Sequence, residues 1–306
     1  MEQNQSIKYF LAGTASPVIW GFFAIALRNL KHFPAIQILD YRVFTSLLIL
    51  FVFILLFRKQ KIRSDLDHYR IKVADKRRFW SLLLISSILL TGNWLSFIYV
   101  INNVSVQSGA FAYMVCPLLT AIGGFVILGE DLTKIKWIAI SISIISAAIL
   151  GSGHLSDVLW SFFIAALFAG YLIIQRSIQG FDKLNLLAIQ LIIACLFIVP
   201  LEIINPHSVP NSLSFWVNIV IVAVLFTIIP LYLSLYSMIR IPASTAGILI
   251  YINPIIAFAV AFFYFHEGFT PQKLLSYSLL TVAVMLFNWD YIKKLIPQTA
   301  LKSKIS

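Results

Sequence analysis

At 306 residues, 60% hydrophobic and 11% charged, with a mean hydropathy of +0.92, the chain carries more apolar surface than a water-soluble protein of this size can hide. A formal net charge of +11 would suit a nucleic-acid binder, but the placement of the basic residues, traced below, assigns that charge to membrane orientation. The two cysteines, Cys116 and Cys195, lie inside apolar runs and supply neither a disulfide framework nor a compartment signal.

A bilayer core takes about 20 apolar residues per helix. In chain order, such runs occur at 7–28, 36–57, 79–101, 108–128, 134–151, 157–175, 183–204, 213–238, 243–265 and 272–292. The opening "MEQNQSIKYF" lacks the basic start and cleavage site of a removable leader, so the first run is expected to stay as a helix, with Trp20 beside Gly21. The second carries Asp40 and Arg42, two residues apart and so on different faces. A polar connector, 58–78, follows. The third run places Asn93, Trp94 and Tyr99 in its length, and the fourth holds Tyr113 and Pro117 before it closes at Glu130. The ninth repeats that layout with Tyr251, Asn253 and Pro254, closing at Glu267. Short turn-like breaks such as "GEDLTK", "GSGHLSD" and "HEGFTPQ" make neighbouring spans antiparallel. Unbroken apolar runs exclude barrel strands, which alternate. The expected fold is therefore an all-α integral membrane protein of ten transmembrane helices.

With both termini on the cytoplasmic side, nineteen of the twenty-three Lys and Arg residues fall inside. Arg28, Lys31 and Lys273 fall outside, and Arg42 lies within a span. The positive-inside rule favours this orientation, in the cell (plasma or inner) membrane. Trp80, Trp137, Trp160, Trp216 and Trp289 sit near predicted ends, where an interfacial belt belongs.

Sliding the chain over itself by 137 positions brings Pro117 onto Pro254, Glu130 onto Glu267, Thr133 onto Thr270 and Lys136 onto Lys273. Such residues are scarce in membrane spans, so their agreement outweighs any apolar match. The repeat unit is five helices. Five is odd, so the second copy enters the membrane from the opposite side, giving inverted repeats over 1–151 and 152–306. Proline loosens a helix by removing a donor, so Pro117 and Pro254 are hinges, serving as cavity walls or as packing kinks. Glu130 and Glu267 either close their spans ahead of helices capped by Asp131, Thr133 or Thr270, or act in gating.

The segments "ILDYRVFTSLL", "GNWLSFIYVINN" and "GAFAYMVCPLLTAIGGFVILGE" resemble the drug/metabolite transporter superfamily, EamA-type, most closely its RarD branch. The resemblance runs over about 7–292, with His266 standing where a Gly usually precedes the second Glu. It implies transport of a small organic metabolite, amino acid or drug, often export. It does not fix the substrate.

An ionisable group in mid-membrane costs roughly 2.5–3.5 kcal/mol on insertion scales, which makes Arg42 a functional candidate. Its guanidinium would hold a substrate carboxylate or, alternatively, snorkel to bind helix ends. Trp20, Asn93, Trp94, Tyr99, Tyr113, Tyr251 and Asn253 complete an aromatic, sparsely polar candidate cavity around it. The chain has no GxxxxGK[ST] or HExxH motif and no gathered Ser–His pair, so neither a nucleotide-driven pump nor an enzyme is expected, and no metal or cofactor. The expected partners are the small-molecule substrate and the bilayer, with proton coupling left open and no nucleic acid. A channel or facilitator is the alternative, ahead of a receptor or enzyme. No sequence feature sets the oligomeric state.

Overall fold

The computed structural model describes residues 2–129, 131–178, 180–204, 206–237, 249–268 and 270–289. The described residues form helices α1 (Glu2–Gly21), α2 (Phe23–Arg28), α3 (Ala35–Phe57), α4 (Lys59–Lys72), α5 (Lys76–Asn103), α6 (Val106–Leu128), α7 (Lys134–Ser177) and α8 (Lys183–Ile204). They continue as α9 (Leu213–Ala223), a π-helical turn (Val224–Ile228) and α10 (Ile229–Ser237). After residues 238–248, which lie outside the described set and include the start of the ninth predicted span, come α11 (Ile252–Ala259), a second π-helical turn (Val260–Tyr264) and α12 (Pro271–Phe287).

All ten predicted runs are helical in their described parts. Eight are long and apolar enough to cross a membrane, and Ile252–Tyr264 and Pro271–Phe287 are shorter apolar helices. Two connections add detail. The polar connector 58–78 is largely helical, with α4 occupying most of it. The expected break at "GSGHLSD" falls at His154 (φ −143°, ψ 55°), a kink that divides the 44 residues of α7 into two spans, Lys134–Ser152 and His154–Gln175.

Local chemistry sets the ends. The Asp75 carboxylate accepts from Arg78 N at 2.9 Å, the Ser105 hydroxyl from Ser108 N at 3.0 Å, and the Thr270 hydroxyl from Lys273 N at 3.3 Å. Each fills one of the orphan donors of a helix N-terminus. Pro271 opens α12, where its missing N–H costs nothing. α6 stops at Gly129 in the left-handed region (φ 67°).

Lipid tails give apolar helices little reason to associate, so small residues and interhelical hydrogen bonds hold such bundles together. Asn93 Nδ2 donates to Ile164 O (2.9 Å), Ser87 Oγ to Gln190 O (2.6 Å) and Ser146 Oγ to Ser276 O (2.6 Å). At Gly21 a Cβ would lie 2.5 Å from Ile256 Cβ, so only glycine lets α1 and α11 cross this closely. Phe51, Leu55, Leu56 and Phe57 of α3 point outward, as lipid contacts require.

Two ends of the bundle can be told apart. At one, α4 docks on the α7–α8 connection: Arg58 pairs with Asp182 (2.6 Å), and Asp65 accepts from Asp182 N (3.0 Å) and Asn185 Nδ2 (2.6 Å). The other end, about 34 Å away along the 23 residues of α3, gathers the end of α2, the starts of α6 and α9, and Glu267.

Candidate functional site

The centre of the bundle is built on Arg42. It is 3% exposed and projects from α3. Its Nε donates to Thr227 Oγ1 (3.1 Å), and its guanidinium lies 4.0 Å from the Trp94 ring centre and 5.1 Å from that of Phe23. Aromatic faces hold a cation without quenching its charge. Nη1 has no hydrogen-bond partner among the described residues. A buried guanidinium with an unused donor can take an anionic oxygen.

Rings extend from there in series. Phe226 stacks on Phe23 (5.1 Å), Phe23 on Phe97 (5.7 Å), Phe97 meets Tyr113 (5.3 Å), and Tyr113 meets Phe168 (5.8 Å). Trp20, Phe97, Tyr113 and Asn253 border a slot of only about 10 Å³, room for about one water. The centre is therefore closed in this conformation.

The partner of Trp20 explains a feature that the sequence reading missed. Pro230 has no N–H, so the carbonyl four residues back, on Phe226, loses its helical donor. The helix relaxes there into the π-turn Val224–Ile228, and Trp20 Nε1 donates to Phe226 O at 3.0 Å. Thr227, the partner of Arg42, sits in the same turn and donates its hydroxyl proton to Val222 O (2.9 Å). Pro230 inside the eighth apolar run was the signal available in the sequence.

The other candidates are distributed unevenly. Asn93 is fully buried with Oδ1 unpaired among the described residues, and Trp94 is 8% exposed against Arg42. Tyr251 lies away from Arg42, in a second cluster with Phe111, Met114 and Tyr277. Tyr99 is 40% exposed and packs on Trp160 (4.9 Å), at the periphery and outside the central cluster. Pro117 stands inside an unbroken α6, whereas Pro254 is the third residue of α11 and follows a break at Ile250–Tyr251. Glu130 lies outside the described residues.

Glu267 joins three elements. One carboxylate oxygen accepts from Arg28 Nη2 (2.9 Å) and Val106 N (2.9 Å), and the other from Gln107 N (3.1 Å). Gln107 Nε2 returns a bond to Glu267 O (3.3 Å). A carboxylate on the first amides of α6 meets both the orphan donors and the positive end of the helix dipole. Beside this knot opens a crevice of about 610 Å³, lined by Arg28, Lys31, His32, Asn218, Tyr264 and Phe265. Arg28 borders the crevice and Val106 borders the slot, so the Glu267 contacts stand between the two spaces.

A buried cation inside a bundle of apolar helices is an arrangement that transporters use. Residues 7–152 and 155–289 each match the EamA-like transporter family, and the chain belongs to that family, within the drug/metabolite transporter superfamily. It is similar to an uncharacterized transporter of Vibrio cholerae, 29% identical over 95% of both chains. It is also similar to Protein RarD of Streptomyces exfoliatus (26%, over 95% of this chain and 91% of that one) and of Escherichia coli (24%, over 95% and 97%). A crystal structure 15% identical in sequence superposes with a TM-score of 0.60 over 91% of this chain and 96% of its own, a likeness of fold. The chain is a multi-pass membrane transporter.

Proposed function

We propose that the protein is a secondary transporter that carries a small organic molecule bearing an anionic group across the cell membrane, by alternating access and in the export direction. The halves 1–151 and 152–306, threaded in opposite senses with both termini cytoplasmic, would rock about the Arg42 centre. The observation that carries this reading is Arg42: a buried guanidinium, flanked by Trp94 and Phe23, with one donor unused. Phe23 and Trp94 come from the first half and Thr227 from the second, so the centre spans both. The basic crevice at the Glu267 end suits departure of an anion.

The test is a comparison of metabolites inside and outside cells with and without the protein, followed by uptake of the identified compound into vesicles. Arg42→Ala should cut transport of an anionic substrate at least tenfold at unchanged protein level, and Arg42→Lys should not restore it, because a fork-shaped donor is not replaced by a point charge. Undiminished transport in Arg42→Ala would remove Arg42 from the site. A channel or facilitator is the second reading; it would give flux without saturation or exchange. An imposed pH gradient that leaves substrate movement unchanged would eliminate proton coupling.

A further inference from the structure

At the crevice end of the bundle, away from Arg42, Asp40 of α3, Glu202 near the end of α8 and His207 in the following connection bring one ligand atom each to within 4.8 Å of one another. Asp40 is 4% exposed, and its Oδ1 has no hydrogen-bond partner among the described residues. A carboxylate oxygen of Asp40 lies within 4.8 Å of one of Glu202, so two acidic groups share one small space. His207 Nδ1 lies 2.7 Å from Glu202 Oε2, and His207 N donates to Glu202 Oε1 at 2.9 Å. Two adjacent carboxylates, one of them buried, are costly unless a proton or a cation neutralises them.

The surroundings hold this group in place. Gln37 Nε2 donates to Ser208 O (2.9 Å) and Trp216 Nε1 to Pro210 O (3.0 Å), pinning the connection that carries His207 to α3 and α9. The Tyr41 ring packs on Trp216 (4.9 Å) directly after Asp40. The side chains of His207 and Glu202 are 27% and 30% exposed, which leaves the cluster open to water on one side.

From this geometry we propose that Asp40, Glu202 and His207 form a binding site for a single divalent transition-metal ion of the zinc or manganese class. Two oxygens and one imidazole nitrogen select borderline ions over magnesium or calcium. Bonds of about 2.0–2.2 Å set the ligand atoms roughly 3–4 Å apart, a contraction that side-chain rotation supplies. The ion balances both carboxylates, takes up the unused Asp40 oxygen and keeps open positions for water. It ties α3, in the first half, to the α8–α9 connection in the second. His207 binds as neutral imidazole through an unprotonated Nδ1, its one proton then on Nε2, so its contact with Glu202 is exchanged for a bond to the metal.

The test is isothermal titration of the full-length chain in detergent with ZnCl2, MnCl2 and MgCl2, alongside thermal unfolding. The expected result is one zinc or manganese ion per chain, magnesium at least a hundredfold weaker, and a midpoint that rises with the metal. Asp40→Asn, which keeps the side-chain shape, and His207→Gln, at a half-exposed position, should each weaken binding at least tenfold while leaving the metal-free midpoint within a few degrees. No binding up to millimolar zinc, or equal binding in both variants, overturns the proposal. So does a cluster that takes up only protons, seen as a His207 titration by NMR that zinc does not displace. The readout is binding rather than transport, so it stands or falls apart from the proposed function.

Discussion

His266 is the one described residue other than glycine with a positive φ, at 52°. Its counterpart 137 positions earlier is Gly129, at φ 67°. Both sit just before the repeated glutamate, so the span-ending turn is left-handed in both copies, and His266 bears a Cβ there that glycine avoids. His266→Gly should stabilise the protein by about 1 kcal/mol, read as a rise in the thermal midpoint in detergent. Trp20 offers a second test at this scale. Trp20→Phe leaves Phe226 O without a donor, a loss of about 1–3 kcal/mol. In a Pro230→Ala background the backbone N–H returns and the same substitution should cost much less. Equal costs in both backgrounds would break the link between the indole and the proline. Trp20, Arg42, Asn93 and Trp94 were legible as site candidates because polar or bulky groups deep in apolar runs need a reason. Tyr99 had the same sequence character but faces the periphery beside Trp160, since residue type and depth do not give helix azimuth. Asp40, Glu202 and His207 escaped notice as a group, because helix packing, not spacing, unites α3 with the end of α8.

Among the elements, α4 was the least legible. "KQKIRSDLDHYRIK" carries only a thin apolar stripe, Ile62, Leu66 and Tyr69, and it buries no residue fully. It is held by polar docking on Asp182 and Asn185 through Arg58 and Asp65, together with the His68 and Tyr69 rings against Phe181 and Phe79. Asp65→Ala removes two of these contacts. Amide hydrogen exchange over 59–72 should then speed up at least tenfold while 35–57 keeps its protection; unchanged exchange would show that Asp65 does not hold α4. The apolar runs themselves were plain, since bilayer thickness fixes their length. The break inside α7 at His154 was legible in "GSGH", whose glycine-containing composition signals a turn.

At the scale of the molecule, α4 meets the α7–α8 connection at one end of the bundle, and Arg28, Val106 and Glu267 meet at the other. The Glu267 knot closes the way from crevice to slot, so Glu267→Ala should open it. A cysteine at Ala110, 2% exposed beside the slot, should react with a water-borne maleimide several-fold faster in Glu267→Ala than in the parent. Equal rates would mean that the carboxylate is a helix cap alone. The repeat also bears on the energetics of facing. Among the described residues, the π-turns fall in the eighth and ninth spans, while their counterparts α5 and α6 are continuous α-helix. Twins of identical stiffness would populate inward and outward poses in equal measure. Under the proposed rocking of the two halves, the more loosely wound second half would make the two poses differ in free energy, and the carrier would idle with a preferred side.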